Sequence, residues 1–133
     1  MNNTKEKLYE AATQMLDRAY VPYSNFPVGA AVMTKDGKIF AGCNIENSSY
    51  PVTNCGERTA LFKAISEGYS EFESLLVTGN TEGPISPCGA CRQVMSEWFD
   101  GETTIYLTNQ EGAEVVVSME DLLPGAFKKE DME

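Results

Sequence analysis

The sequence predicts an α/β domain layered around a mixed sheet of about five strands. Three observations carry that expectation. Apolar residues recur at helical spacing in three separated stretches, strand-like runs lie between and after them, and glycine-containing turns join two pairs of those runs. The resulting order, α-β-β-α-β-α-β-β-α, interleaves helices with strands, as a sheet covered by helices requires.

The first helix is expected from Thr4 to Tyr20, where Leu8, Ala11, Ala12, Met15, Leu16 and Ala19 recur at helical spacing and Thr4 serves as N-cap. Pro22 ends it by disfavouring the helical conformation in the residue before it. Val28 to Thr34 and Lys38 to Cys43 read as strands joined by Lys35-Asp36-Gly37, because Asp-Gly is a strong hairpin signal. Asn44 to Asn54, rich in Asn, Ser and Pro, is a loop. Cys55 to Glu67 reads as a helix with Ala60, Leu61, Ala64 and Ile65 on one face and Gly68 as its stop. Leu75 to Thr78 is a short buried strand, followed by a loop from Asn80 to Pro87. Cys88 to Phe99 forms the next helix, with Cys91, Val94, Met95 and Trp98 inward. Thr104 to Leu107 and Glu114 to Val117 are strands across Gln110-Glu111-Gly112, and Ser118 caps a last short turn through Leu123.

A chain of 133 residues reads as a single domain over 1–133, able to bury roughly two thirds of its unfolded surface. Lys128 to Glu133 reads as a solvated, flexible acidic tail. No apolar run approaches the roughly 20 residues that span a bilayer, and the first residues lack the apolar stretch of a secretory signal. A cytoplasmic protein without a membrane partner is expected. The formal charge of −10, with scattered Lys and Arg, points away from nucleic acid and suits a neutral small molecule. Four cysteines without a secretory signal favour reduced thiols or metal ligands over disulfides.

The chemistry concentrates in Cys55-Gly56-Glu57 and Pro87-Cys88-Gly89-Ala90-Cys91. There is no histidine, so a transition-metal site here is built mainly from sulfur. Three thiolates hold Zn2+ and leave one tetrahedral position for a water, with Glu57 placed to handle that water's protons. Cys55 starts one expected helix, and Cys88 and Cys91 share the first turn of another. Helix N-termini lower thiol pKa, and the i, i+3 spacing puts two sulfurs on one face. Three thiolates on Zn2+ leave a net negative cluster, a poor activator of water. Arg58, with Arg92 or Gln93, could offset it by donating hydrogen bonds to the sulfurs. Spacing alone leaves two other readings open. Cys43 could complete a structural four-cysteine site, although it alternates like a small buried hydrophobe, and Cys88-x-x-Cys91 could be a dithiol redox motif.

These motifs resemble the zinc deaminase signature in its three-cysteine form. Val21-Pro22-Tyr23-Ser24-Asn25-Phe26-Pro27-Val28-Gly29-Ala30-Ala31, Gly42-Cys43-Asn44-Ile45-Glu46-Asn47, Glu57-Arg58-Thr59-Ala60 and Leu122-Leu123-Pro124-Gly125-Ala126-Phe127 extend the likeness over nearly the whole chain. Together they are similar to the small homotetrameric zinc-dependent cytidine deaminases. The resemblance implies a three-layer α/β/α domain and one Zn2+ per chain on Cys55, Cys88 and Cys91. It implies hydrolysis of cytidine and deoxycytidine to uridine and deoxyuridine in pyrimidine salvage, a zinc-bound hydroxide attacking C4 while Glu57 shuttles protons. Asn44 and Glu46 resemble the family's ribose-binding pair, and Phe26 the residue that packs on the pyrimidine ring. Gly56, where most relatives carry Ala, and Ala90 would offer backbone groups to the base and water. Tyr50 and Phe127 resemble residues that complete a neighbouring subunit's pocket.

Overall fold

Five strands form a single sheet: β1 (Val28–Thr34), β2 (Ile39–Cys43), β3 (Phe72–Gly79), β4 (Thr104–Thr108) and β5 (Glu114–Val117), in the order β2-β1-β3-β4-β5. The structure, a computed structural model, describes residues 3–127 and 129–132. β3 and β4 pair in parallel and the other neighbours antiparallel, so the sheet is mixed as expected. The one parallel pair requires a crossover, supplied by the segment that carries α3 (Gly89–Trp98). The remaining helices are α1 (Asn3–Gln14), α2 (Gly56–Ser66) and the short α4 (Met119–Leu122).

Strand alternation divides the core in two. Ala30, Val32, Leu75, Val77, Ile105 and Leu107 pack with Ala60, Leu61 and Ala64 of α2, Met95 of α3 and Met119 of α4. The intervening Ala31, Met33, Leu76 and Tyr106 meet Leu8 and Ala12 of α1 on the opposite face. Helices therefore cover both faces, giving the three layers α/β/α. Two glycines allow the layers to close. A Cβ on Gly29 would lie 2.0 Å from the Ala12 carbonyl oxygen, and one on Gly42 would lie 2.4 Å from the Ala60 nitrogen. The second contact seats α2 directly on β2, and α2 carries the chemistry.

The largest departure from the sequence reading is the end of the first helix. Thr4 lies inside α1 rather than capping it, and Met15–Arg18 tighten into a 3-10 turn. Ala19 is extended (φ −60, ψ 137), so the helix ends before Pro22 can act. Backbone pairing explains the early exit: Tyr20 N–H donates to the Asn44 carbonyl at 3.0 Å, and Glu46 N–H donates to the Tyr20 carbonyl at 2.8 Å. The 44–54 loop is accordingly more ordered than expected, with a Tyr50–Val52 3-10 turn and bridges at Ile45. β3 extends the expected strand at both ends, because Phe72 and Gly79 also pair with β1. Ser118 caps α4 as expected, in a capping box with Asp121. Of the expected tail, Lys128 and Glu133 lie outside the described residues, and Lys129–Met132 form one 3-10 turn.

Candidate active site

The sulfurs come from two helix N-termini. Cys55 is the N-cap of α2 (φ −77, ψ 157) and Cys88 the N-cap of α3 (φ −69, ψ 167). Both stand where the sequence reading started the helices, and the first helical residue follows one position later, at Gly56 and Gly89. Cys88 Sγ accepts the Cys91 N–H at 3.4 Å, so sulfur does the work that Ser or Asp does at other caps. Cys91 sits in the first turn of α3 and is fully buried. Cys55 Sγ lies 3.7 Å from Cys88 Sγ, which lies 3.3 Å from Cys91 Sγ, and all three fall within 4.8 Å of one another. Zinc–sulfur bonds of about 2.3 Å in a tetrahedron would place sulfurs about 3.8 Å apart. The residues fit the ion.

Charge supports the same conclusion. The Cys55 thiol is lowered to about 5, first by its hydrogen bond with Cys91 and, against burial, by donation from Arg58. Cys91 moves the opposite way, its proton retained by that hydrogen bond and by burial. Thiols this close cannot all ionise unaided, and a divalent cation removes the conflict. Arg58 Nη2 donates to Cys55 Sγ at 3.3 Å and to the Thr53 carbonyl at 3.4 Å, as the sequence suggested for this residue, and its Nε is buried without a partner. Beside it Glu57 is only 4% exposed. Burial pushes its carboxyl up to about 7, opposed by its own backbone N–H and reinforced by the negative Cys55.

A cavity of about 170 Å³ opens onto this cluster. Cys55, Gly56, Glu57 and Cys88, from the starts of α2 and α3, line it together with Phe26 and Asn44 from the segments flanking β1 and β2. Val28, Ile85 and Ser86 also line it; sequence reasoning missed them, and the only available signal for Ser86 was its place just before Pro87-Cys88. Glu46 is buried and is not among the lining residues; its carboxylate accepts the N–H groups of Tyr23 and Ser24 at 3.0 and 3.1 Å. Ala90 is exposed in the first turn of α3 and does not line the cavity. Tyr50 and Phe127 are 57% and 59% exposed and likewise lie off its walls.

Two expected sulfur donors point elsewhere. Gln93 Nε2 donates to the Phe127 carbonyl at 3.0 Å. At about 100° per residue, position 93 is turned roughly 200° from the inward Cys91, so it cannot reach the cluster. Arg92 donates to the carbonyls of Pro87 and Leu122 and to Ser86 Oγ, at 2.9, 2.8 and 2.6 Å, and so pins the loop before Cys88 to the end of α4. Cys43 is buried in β2 and is not part of the sulfur cluster, which leaves the ion without a fourth cysteine.

A purely structural ion has no use for a buried acid beside it, or for a cavity leading to it. The arrangement defines a metal-dependent hydrolase, and comparison with known proteins narrows the class. The chain belongs to the family described as the cytidine and deoxycytidylate deaminase zinc-binding region, whose model matches residues 2–108. A cytidine deaminase of Sporosarcina psychrophila is 55% identical over 127 residues, covering 96% of this chain and 93% of its own. Another from Halalkalibacterium halodurans is 51% identical over 128 residues, covering 96% of this chain and 97% of its own. The crystal structure of a cytidine deaminase from Burkholderia pseudomallei superposes with a TM-score of 0.90 at 53% identity, covering 96% of this chain and all (100%) of the other.

Proposed function

We propose that this chain hydrolyses cytidine and deoxycytidine to uridine and deoxyuridine, with one Zn2+ held by Cys55, Cys88 and Cys91. The observation that carries the reading is the single cavity that joins Cys55, Cys88 and Glu57 to Phe26 and Asn44. Zinc supplies a Lewis acid that makes water nucleophilic near neutral pH.

Glu57 accepts a proton from the attacking water, delivers one to N3 of the cytosine ring and later helps expel ammonia from C4. A carboxyl raised to about 7 can both accept and donate near neutrality, and its burial keeps bulk water from exchanging those protons. Phe26 presents its ring to the base. Asn44 and Glu46 recognise a sugar hydroxyl, which argues for a nucleoside over a free base. The backbone groups of Gly56 and Ala90 serve the base and the water. Arg58 offsets the negative charge of the thiolates through Cys55.

The working assembly is a homotetramer in which the exposed Tyr50 and Phe127 complete neighbouring pockets. The protein acts in cytoplasmic pyrimidine salvage, without nucleic acid; no helix among the described residues is long and apolar enough to cross a membrane. The test is zinc per chain followed by ultraviolet loss of cytidine, deoxycytidine, their monophosphates and adenosine. Turnover of the two cytosine nucleosides by zinc-loaded protein is expected, and its absence overturns the reading.

A further inference from the structure

The part of the cavity lining that carries Phe26 and Val28 is an arch, from Tyr20 to Val28, that leaves and rejoins one short stretch of chain. At one foot Tyr20 exchanges backbone hydrogen bonds with Asn44 and Glu46, and at the other the Val28 carbonyl accepts the Asn44 N–H at 3.2 Å. Between the feet the backbone turns through Asn25, whose φ of 57 lies in the left-handed region that few side chains adopt readily. Side chains of that same short stretch hold the span. Glu46 Oε1 accepts from the Tyr23 and Ser24 N–H groups. Asn44 Oδ1 accepts the Val28 N–H at 2.9 Å, and its Nδ2 donates to the Phe26 carbonyl at 2.9 Å. These partners fix the orientation of the amide, since the N–H needs an acceptor and the carbonyl a donor. Phe26, whose own N–H donates to Ser24 Oγ at 3.1 Å, is therefore held on both sides by Asn44 and Glu46.

Asn44 and Glu46 each keep an unused hydrogen-bonding valence. An amide offers two N–H groups, and a carboxylate offers two oxygens. The arch takes one N–H from Asn44 and one oxygen from Glu46. What remains is one donor and one charged acceptor, the complement of a single hydroxyl, which can accept from the amide while donating its one proton to the carboxylate. We propose that Asn44 and Glu46 are positioning residues for Phe26 as well as readers of a sugar hydroxyl, so that sugar recognition and placement of the base-stacking ring form one coupled unit. This rests on the nucleoside reading above and adds to it a role that needs no sugar.

The test uses two substitutions and two substrates. Glu46→Gln retains an oxygen for the Tyr23 and Ser24 N–H groups but turns the other oxygen into a donor. Glu46→Ala removes both. Zinc-loaded variants of matched metal content and melting temperature are assayed on cytidine and on 2′,3′-dideoxycytidine, which has no ring hydroxyl to read. On cytidine both variants lose activity. On dideoxycytidine Glu46→Ala is expected to fall about tenfold or more below Glu46→Gln, and Asn44→Ala to fall with it. Adding Phe26→Ala is expected to erase the difference between the two Glu46 variants. Equal activity of Glu46→Ala and Glu46→Gln on dideoxycytidine, or a difference that survives Phe26→Ala, overturns the proposal. Amide hydrogen exchange at Phe26 reads the arch without any substrate: faster exchange in Glu46→Ala than in Glu46→Gln supports the proposal, and equal exchange refutes it. That measurement stands even if the unmodified protein leaves cytidine untouched, an outcome that would remove the nucleoside reading alone.

Discussion

The two walls of the cavity are held by different physics. On one side Cys55, Glu57 and Cys88 sit at the N-terminal ends of α2 and α3, whose inward faces are packed into the main core. On the other side Phe26 belongs to an arch between helix and strand, and Tyr23, Phe26 and Ile45 are 53%, 37% and 45% exposed. The first wall is fixed by helix geometry and burial, the second by side-chain hydrogen bonds from Asn44 and Glu46. Reacting groups need sub-ångström placement, and regular elements provide it; a surface that admits and releases substrate suits a loop. The difference teaches where to expect large effects. Damage to the sulfur wall should remove chemistry, and damage to the arch should loosen binding.

The largest effect is expected at Glu57. Glu57→Gln keeps the size and burial of the side chain but cannot carry the proton, so kcat should fall by about 10³-fold, within the range for general acid–base catalysis. Zinc per chain, measured by atomic emission, should stay at the unmodified level. Retained turnover would place the proton shuttle elsewhere and break the contrast between the walls. Removing the metal belongs to the same class: incubation with a strong chelator should abolish activity, and added Zn2+ should restore it. Activity that persists in metal-free protein would revive the dithiol reading of Cys88 and Cys91.

Arg58 comes next, because it touches the sulfur and not the substrate. Arg58→Ala should weaken zinc retention or activity by about 10–100-fold, as loss of a ligand's hydrogen-bonding partner typically does. Competition with a metal-sensitive dye would report it, and unchanged retention with unchanged turnover would reduce Arg58 to a brace for the Thr53 carbonyl. Gly29→Ala tests the scaffold beneath both walls. Its Cβ would meet the Ala12 carbonyl oxygen at 2.0 Å, so α1 must shift off the sheet, at a cost of about 1–3 kcal/mol. A melting temperature lower by several degrees is expected, and an unshifted one would mean that α1 moves freely.

The same contrast explains what could be read from the sequence. The sulfur wall was legible because its residue types are few and a helix fixes their spacing. Cys88 and Cys91 were expected to share a face, and Arg58, next to Glu57, was one of three candidate donors to the sulfurs, the one that the structure brings to Cys55. Gln93 was misplaced where that rule was not applied, since two residues along a helix point nearly opposite ways. The arch was not legible as an arch. Its hydrogen bonds run from Asn44 and Glu46 to residues 16 to 23 positions earlier, and no local pattern announces them. The early end of α1 has the same cause, because Tyr20 pairs with a segment that periodicity cannot see. Strands β1 and β5 matched their expected limits because alternation and turn glycines are local signals.

The smallest effect is expected from acid on the arch. Burial alone would raise the Glu46 carboxyl, but hydrogen bonds from Ser24 and the Tyr23 N–H outweigh it and hold the group below its ordinary value. A carboxyl whose folded pKa lies below the unfolded one, about 4.3 for glutamate, stabilises the fold at pH above that value. The contribution is lost as pH falls through the unfolded pKa towards the folded one. The amide resonances of Tyr23 and Ser24 should therefore titrate together with a midpoint below the ordinary carboxylate range, and Glu46→Gln should abolish that transition. Amides in the core of α2 and α3, which no titration of Glu46 reaches directly, should move little over the same interval. A midpoint at or above the ordinary range would mean that the arch gains nothing from the charge on Glu46, and would leave the loop held by its two backbone feet.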